Sequence, residues 1–268
     1  MIIGILGPEG TFSEKAAKTW RRNAKLKYFD DIPEIFKEVS EGRINFAIVP
    51  IENSLEGSVI ATLNLLLEFD LKIAGEIVIP IDHCLLSKGK LTNIKVIVSH
   101  PQALAQCSKF LRMKFPNVEL RAVGSTAHAA KLAMEFEEVA AVASEEAGRK
   151  YGLNVLMRDI QNERENYTRF VILARGVPKP GIKNKTSIVV HLKENRPGAL
   201  YEFLGVFAKR NINLTKIESR PSKKALGDYL FFIDFEGYIK DRVVVEALDE
   251  ARGMVDWLKI LGSYPAAS

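Results

Sequence analysis

Asn166-Tyr167-Thr168-Arg169-Phe170 runs without a break into Val171-Ile172-Leu173-Ala174. A polar stretch that becomes a continuous apolar run reads as a loop entering a buried strand, and it sets a hydroxyl and a guanidinium side by side at the strand's start. Threonine suits strands and arginine often ends them, so the segment alone favours a structural role. Its position gives it more weight. It follows a series of strand and helix patterns over residues 77–161, and the expected course is a return to a sheet begun near the N-terminus, with Thr168 left between two lobes.

The first lobe, about residues 1–76 with 162–181, opens on the apolar strand Met1-Ile2-Ile3-Gly4-Ile5-Leu6. The turn Gly7-Pro8-Glu9-Gly10-Thr11-Phe12-Ser13 then leads into a helix with Ala16, Ala17 and Trp20 on one face. A glycine-rich turn between strand and helix leaves backbone N–H groups free to attract an anion. The spacing is neither the dinucleotide fingerprint nor a P-loop, and a plain turn with Ser13 capping the helix explains it at least as well. Asp31 is expected to cap a helix through Ile35, Phe36 and Val39 that stops at Gly42. A strand over 44–49, the polar run Pro50-Ile51-Glu52-Asn53-Ser54 and a helix over 59–69 come next. Glu52 suits a base or a capping carboxylate, with capping the better reading. Two strand-to-helix turns that gather polar groups at one crevice have the geometry of a binding site in an open α/β sheet.

A strand over 71–81 crosses into the second lobe, about 77–161, where the grammar repeats. A strand over 94–98 meets Ser99-His100-Pro101-Gln102, and Pro101 suits a first helical position for a helix that turns Ala103, Leu104, Cys107, Phe110 and Leu111 inward. A strand over 120–123, the turn Gly124-Ser125-Thr126, a helix over 127–136, the small-residue strand Ala140-Ala141-Val142-Ala143 and a helix capped by Ser144 complete it. Residues 176–184 form a linker, and 182–268 read as strand, helix, two strands joined by the turn 222–227, helix and strand. That βαββαβ order is ferredoxin-like, so the fold class is α/β: a two-lobed catalytic domain over 1–181 and an accessory module after it.

The 268 residues carry a net charge of +5, with lysines and arginines spread evenly and no basic block. That distribution favours small anionic ligands over nucleic acid. The two cysteines, Cys84 and Cys107, read as core residues of a chain kept in a reducing compartment. No apolar run approaches a membrane span and the N-terminus has no leader pattern, so a cytoplasmic protein is expected. His83, His100, His128 and His191 lie apart without metal-ligand spacing, so no metal site is expected. What remains is a cleft of hydroxyls (Thr11, Ser13, Ser54, Ser99, Ser125, Thr126, Thr168), amides (Asn53, Gln106, Asn166) and Arg169. Such a set suits a small polyanionic acid held by neutral donors, in a reaction that needs positioning and one proton donor.

Four strings, in order, carry a resemblance: Gly7 to Ser13, Pro50 to Ser54, Ser99 to Leu104 with Gln106-Cys107, and Asn166 to Phe170. Together they resemble prephenate dehydratase. Gly198-Ala199-Leu200 and Glu218-Ser219-Arg220-Pro221 are similar to the paired motifs of that family's phenylalanine-binding ACT domain. The resemblance implies a fold like the periplasmic binding proteins and conversion of prephenate to phenylpyruvate with loss of water and carbon dioxide, without a cofactor. It implies Thr168 as the catalytic hydroxyl, with Glu52, Asn53, Ser99 and Gln106 in the catalytic set. Substrate-binding positions would be Thr11, Phe12, Ser13, Ser54, Ser125, Thr126, Asn166, Arg169 and Phe170. Phenylalanine as feedback inhibitor would be held by Asn195, Pro197, Gly198, Ala199, Leu200, Glu218, Ser219, Arg220 and Pro221, between paired ACT modules in a homodimer or homotetramer. Arogenate, with an amino group in place of the keto oxygen, stays open as the substrate. A sensor without catalysis is the competing class, and Thr168 with its partners argues against it.

Overall fold

In the computed structural model, which describes residues 1–176, 178–223 and 225–267, β1 (Ile2–Leu6) leads through Thr11 into α1 (Phe12–Trp20). β1 lies parallel to β2 (Lys25–Phe29), which precedes α2 (Ile32–Ser40), and parallel to β3 (Phe46–Asn53). Asp31 caps α2, accepting the Glu34 N–H at 2.8 Å. β2 was not expected: Lys25-Leu26-Lys27-Tyr28-Phe29 is an edge strand in which only Phe29 is fully buried, so its apolar signal is thin. β3 runs four residues past the expected strand because the short β4 (Gly57–Ser58) folds back on it, opposing Ser58 to Glu52 and Gly57 to Asn53. After α3 (Ile60–Glu68) and β5 (Lys72–Pro80) the chain leaves this sheet.

The second sheet begins at β6 (Cys84–Ser87), four buried residues too short to stand out in the sequence. It continues through β7 (Val96–Ser99), α4 (Pro101–Gln106), α5 (Ser108–Lys114), β8 (Glu119–Ala122), α6 (Thr126–Glu135), β9 (Val139–Ala143), α7 (Glu145–Lys150) and β10 (Asn154–Met157). The strand order is β10-β6-β9-β7-β8. Alternate residues feed two cores: Leu86, Ala141 and Val98 pack toward α6 and α7, while Leu85, Ala140 and Ile97 pack toward α4 and α5. The expected single helix over 101–111 is broken at Cys107 by Asn162. The Asn162 side chain accepts the Lys109 N–H at 3.0 Å and donates to the Ala105 carbonyl at 3.2 Å, and its own N–H takes the Gln106 carbonyl at 2.6 Å. An intruding side chain that takes both partners of an i→i+4 bond kinks a helix in this way.

β11 (Tyr167–Ala174) returns to the first sheet, between β3 and β5 in the order β2-β1-β3-β11-β5. The chain divides into two compact units, Met1–Leu65 with Ile77–Phe170 and Leu66–Glu76 with Val171–Ser268, so the division falls inside β5 and β11.

The second unit contains β12 (Asn184–Leu192), α8 (Ala199–Ala208), β13 (Leu214–Pro221), β14 (Tyr229–Glu236), α9 (Arg242–Arg252) and β15 (Val255–Pro265), the expected βαββαβ order. Its antiparallel sheet, ordered β13-β14-β12-β15, packs Ile188, Val190, Ile233 and Phe235 against Phe203, Phe207, Val244 and Leu248 of the helices. The same unit holds 66–76: Lys259 Nζ donates to the Leu67 and Phe69 carbonyls at 2.9 Å, and Lys185 pairs with the buried Glu76 at 2.7 Å. The expected linker 176–184 and turn 222–227 include Val177 and Lys224, which lie outside the described residues. Among the described residues no helix is long and apolar enough to cross a membrane, and no cluster of metal-ligating side chains occurs.

Candidate active site

A cavity of about 260 Å³ lies within the first unit, walled by both of its sheets. Lobe one contributes Leu6, Gly7, Thr11, Phe12, Ser13, Asn53 and Thr168, lobe two His100, Gln102, Ala103, Gln106, Gly124, Ser125 and Thr126, and the crossover Ile81 and His83. Of the residues singled out from the sequence, Thr11, Phe12, Ser13, Asn53, Gln106, Ser125, Thr126 and Thr168 are thus brought together around one cavity. None of the cavity-lining residues described is Lys, Arg, Asp or Glu. The first turns of α1 and α6 border the cavity, and the helix dipole there favours an anion. Ser125 caps α6 by accepting the His128 N–H at 3.0 Å. Ser13 does not cap α1; it sits inside the helix, buried, and Thr11 is the capping residue, its hydroxyl turned to the Leu6 carbonyl.

Asn53 joins the two chain segments at the cavity. Its Oδ1 accepts the backbone N–H groups of Leu55 and Glu56 at 3.0 and 3.1 Å, which fixes which end of the amide is the donor. Its Nδ2 shares two hydrogens among Thr168 Oγ1 at 2.9 Å, Asn166 Oδ1 at 2.8 Å and, at 3.2 Å, the Tyr167 carbonyl. Thr168 therefore accepts from Asn53 and keeps its own hydroxyl hydrogen for a ligand. Asn166, buried behind the wall, donates to Gln106 Oε1 at 3.2 Å.

Other expected positions lie elsewhere. Alternation along β3 and β11 turns Glu52 and Arg169 to the opposite side from Asn53 and Thr168, where they pair with each other at 3.1 Å. Ser54 fastens the strand entrance, accepting the Tyr167 N–H at 3.0 Å and donating to the Glu165 carbonyl at 3.3 Å. Ser99 is fully buried with its hydroxyl on the Val142 carbonyl at 2.6 Å, and Phe170 belongs to the core. Sequence reasoning weighed the histidines only as metal ligands and so passed over His83 and His100. His83 is almost fully buried, edge-on to the Phe12 ring, with Nε2 3.0 Å from Gln106 Oε1. Burial holds its imidazole below the usual range, opposed by the Gln106 contact and the Asp82 charge. Its place on the crossover between lobes was the signal available. Burial likewise pushes the Cys84 thiol to about 11 and that of Cys107 to about 12, in keeping with core roles.

In the second unit a smaller cavity of about 110 Å³ opens at the start of α8 and contains Asn195, Ala199 and Leu200 with Leu192, Asp228, Tyr229 and Phe231. Gly198 caps α8 at φ +85°, a conformation that favours glycine and exposes backbone beside the cavity. Glu218, Ser219, Arg220 and Pro221 do not line it; they lie on β13, an end strand, where Ser219 and Pro221 pair with Phe231 and Tyr229.

A two-lobed α/β unit whose cavity offers neutral donors, joined in one chain to a ferredoxin-like ligand module, defines a regulated enzyme for a small organic anion. The family descriptions that match are Prephenate dehydratase over residues 3–177 and ACT domain over residues 186–253. The chain is 43% identical to the prephenate dehydratase of Methanocaldococcus jannaschii, over 96% of each chain. It is 46% identical to a bifunctional chorismate mutase/prephenate dehydratase of Aquifex aeolicus, over 99% of this chain and 74% of that one. The crystal structure of a prephenate dehydratase in complex with L-Phe from Arthrobacter aurescens superposes with a TM-score of 0.90 at 35% identity, covering 99% of this chain and 90% of that one. The chain belongs to the prephenate dehydratase family, in its form with a C-terminal ACT domain, and is a decarboxylating carbon–oxygen lyase.

Proposed function

We propose that the 260 Å³ cavity is where the chain converts prephenate to phenylpyruvate, with Thr168 as the group that assists departure of the C4 hydroxyl. The observation that carries this reading is the Asn53–Thr168 bond, which leaves the threonine hydrogen available to a ligand. In the reaction the ring carboxylate leaves as carbon dioxide, its bonding pair aromatises the ring, and the C4–O pair goes out with hydroxide. Charges balance: a dianion gives the phenylpyruvate monoanion, carbon dioxide and hydroxide. Aromatisation supplies much of the driving force. A threonine hydroxyl is a weak acid, so it acts by a hydrogen bond that strengthens as charge grows on the leaving oxygen. Asn53 and Gln106 orient the wall, and Thr11, Ser13, Ser125 and Thr126 with the first turns of α1 and α6 receive the two carboxylates. Glu52 and Arg169 brace β3 and β11 as a pair on the other side of the strands.

Thr168→Ala is expected to lower kcat about 10²–10⁴-fold with little change in KM. Steady-state kinetics on prephenate and, separately, on arogenate test this; an equal loss carried by KM alone would refute the assignment.

Phenylalanine is the proposed effector, taken by the cavity at the start of α8, and the L-Phe named in the Arthrobacter aurescens structure supports it. Association of ACT modules through the end strand β13, which carries Glu218 to Pro221, would complete that site in a homodimer or homotetramer. Two buried, unpaired thiols support a cytoplasmic location. The ends of the family matches, at 177 and 186, support a catalytic domain over 1–181 and a regulatory one over 182–268.

A further inference from the structure

The hydrogen bonds behind the cavity wall have directions that two backbone amides settle. Leu55 and Glu56 donate to Asn53 Oδ1, so Asn53 donates to Asn166 Oδ1; Asn166 must then donate to Gln106 Oε1. Gln106 Oε1 is therefore an acceptor, and His83 Nε2, 3.0 Å from it, carries the imidazole hydrogen. The neutral ring has only one N–H, so Nδ1 is a bare acceptor. That atom is buried, has no hydrogen-bond partner among the described residues, and belongs to a residue that is 2% exposed and lines the cavity. Buried acceptors are as a rule satisfied, and this one, on a residue that lines the cavity, is left for a donor that the ligand brings.

The substrate narrows the choice. On the prephenate dianion both carboxylates and the keto group can only accept, and the C4 hydroxyl is the single donor. We propose that His83 Nδ1 accepts the hydrogen of the substrate's C4 hydroxyl and so fixes the rotation of the leaving group. This rests on the dehydratase reading of the cavity. With its hydrogen held by His83, the hydroxyl oxygen turns a lone pair to Thr168, whose own hydrogen is free because Asn53 occupies its acceptor side. One oxygen is thus gripped from two sides, by an acceptor and by a donor. The bond to His83 aligns the ground state, and the bond to Thr168 strengthens as the C4–O bond breaks. Arogenate has the same hydroxyl and an ammonium as well, so a C4 role predicts equal dependence of both substrates on His83.

The test is kinetics of three full-length variants, checked for folding by thermal melts. His83→Phe keeps the ring volume and removes both nitrogens; it is expected to lower kcat/KM about tenfold or more on every substrate the parent turns over, the scale of one lost hydrogen bond. His83→Asn places an amide oxygen near the Nδ1 position and should recover most of that loss. His83→Gln keeps a donor toward Gln106 without the acceptor and should not. Recovery by glutamine alone, or by neither, overturns the proposal in favour of a purely structural His83. A loss confined to arogenate overturns it in favour of an ammonium contact. Full activity of a folded His83→Phe, with Thr168→Ala still inactive, removes this inference and leaves the dehydratase reading standing.

Discussion

Asn53 decides which way three other polar side chains act. Its amide is clamped by two backbone N–H groups, and the orientations of Asn166, Gln106 and Thr168 follow from it. Asn53→Asp keeps the size and the clamp but removes the donor. Thr168 would then give its hydrogen to the new carboxylate in place of the leaving oxygen. Losing one aligned donor in this way predicts a fall in kcat of about 10²–10³-fold with KM little changed. Stopped assays of phenylpyruvate formation, alongside a melting curve that confirms folding, measure it; a kcat near the parent's would mean that Thr168 does not depend on Asn53. The same residue explains what the sequence could and could not disclose here. Asn53 and Thr168 were legible as strand-end polar groups, and Gln106 as a polar group near a helix start. That Glu52 and Arg169, one position away, face the other side follows from strand alternation, which becomes decisive only once β3 is known to continue through Asn53.

At the scale of elements the close approach of β15 to the start of β5 sets a sharp requirement. A Cβ on Gly262 would sit 2.3 Å from the Ile73 carbonyl oxygen and 2.8 Å from its Cβ, with Ile73 fully buried. Backbone atoms cannot yield as a side-chain tip can. Gly262→Ala is therefore expected to destabilise the second unit by about 1–3 kcal/mol, the usual range for overpacking. For a chain of this size that is a drop of about 2–12 °C in the melting temperature, read by calorimetry or circular dichroism; an unchanged Tm would mean that β15 and 66–76 do not hold this spacing. The elements that escaped sequence reading share a cause. β2 alternates weakly at an edge, β6 has four residues, and the α4/α5 break is imposed by Asn162, more than fifty positions along the chain, which no local periodicity records. Strands and helices with strong periods and caps, such as α2 behind Asp31 or the βαββαβ module, were legible because local signal and tertiary packing agree.

For the whole molecule the notable feature is where the chain passes between its two compact units. β5 and β11 each belong to both: β11 carries Thr168 in its first half, and its second half, Val171 to Ala174, clusters with the ACT unit. Val171, the first residue of β11 in that unit, lies three residues from Thr168 on the same strand. Feedback needs no more than two arrangements of the chain that bind phenylalanine with different affinity, and the effector then shifts the population toward the one that holds substrate poorly. Thermodynamic linkage makes the effect reciprocal: the factor by which phenylalanine weakens substrate binding is the factor by which substrate weakens phenylalanine binding, typically about 5–150-fold. Gly198 offers the lever. At φ +85° a β-branched residue is strained, so Gly198→Val disturbs the backbone at the start of α8 and the cavity beside it. The expected outcome is that calorimetric titration of the full-length variant shows phenylalanine affinity lowered about tenfold or more, and that the concentration for half-inhibition rises in the same proportion, while turnover without phenylalanine continues. Inhibition with an unchanged midpoint in a folded Gly198→Val chain would place the effector site away from α8, and weakened binding without weakened inhibition would break the linkage between the two sites.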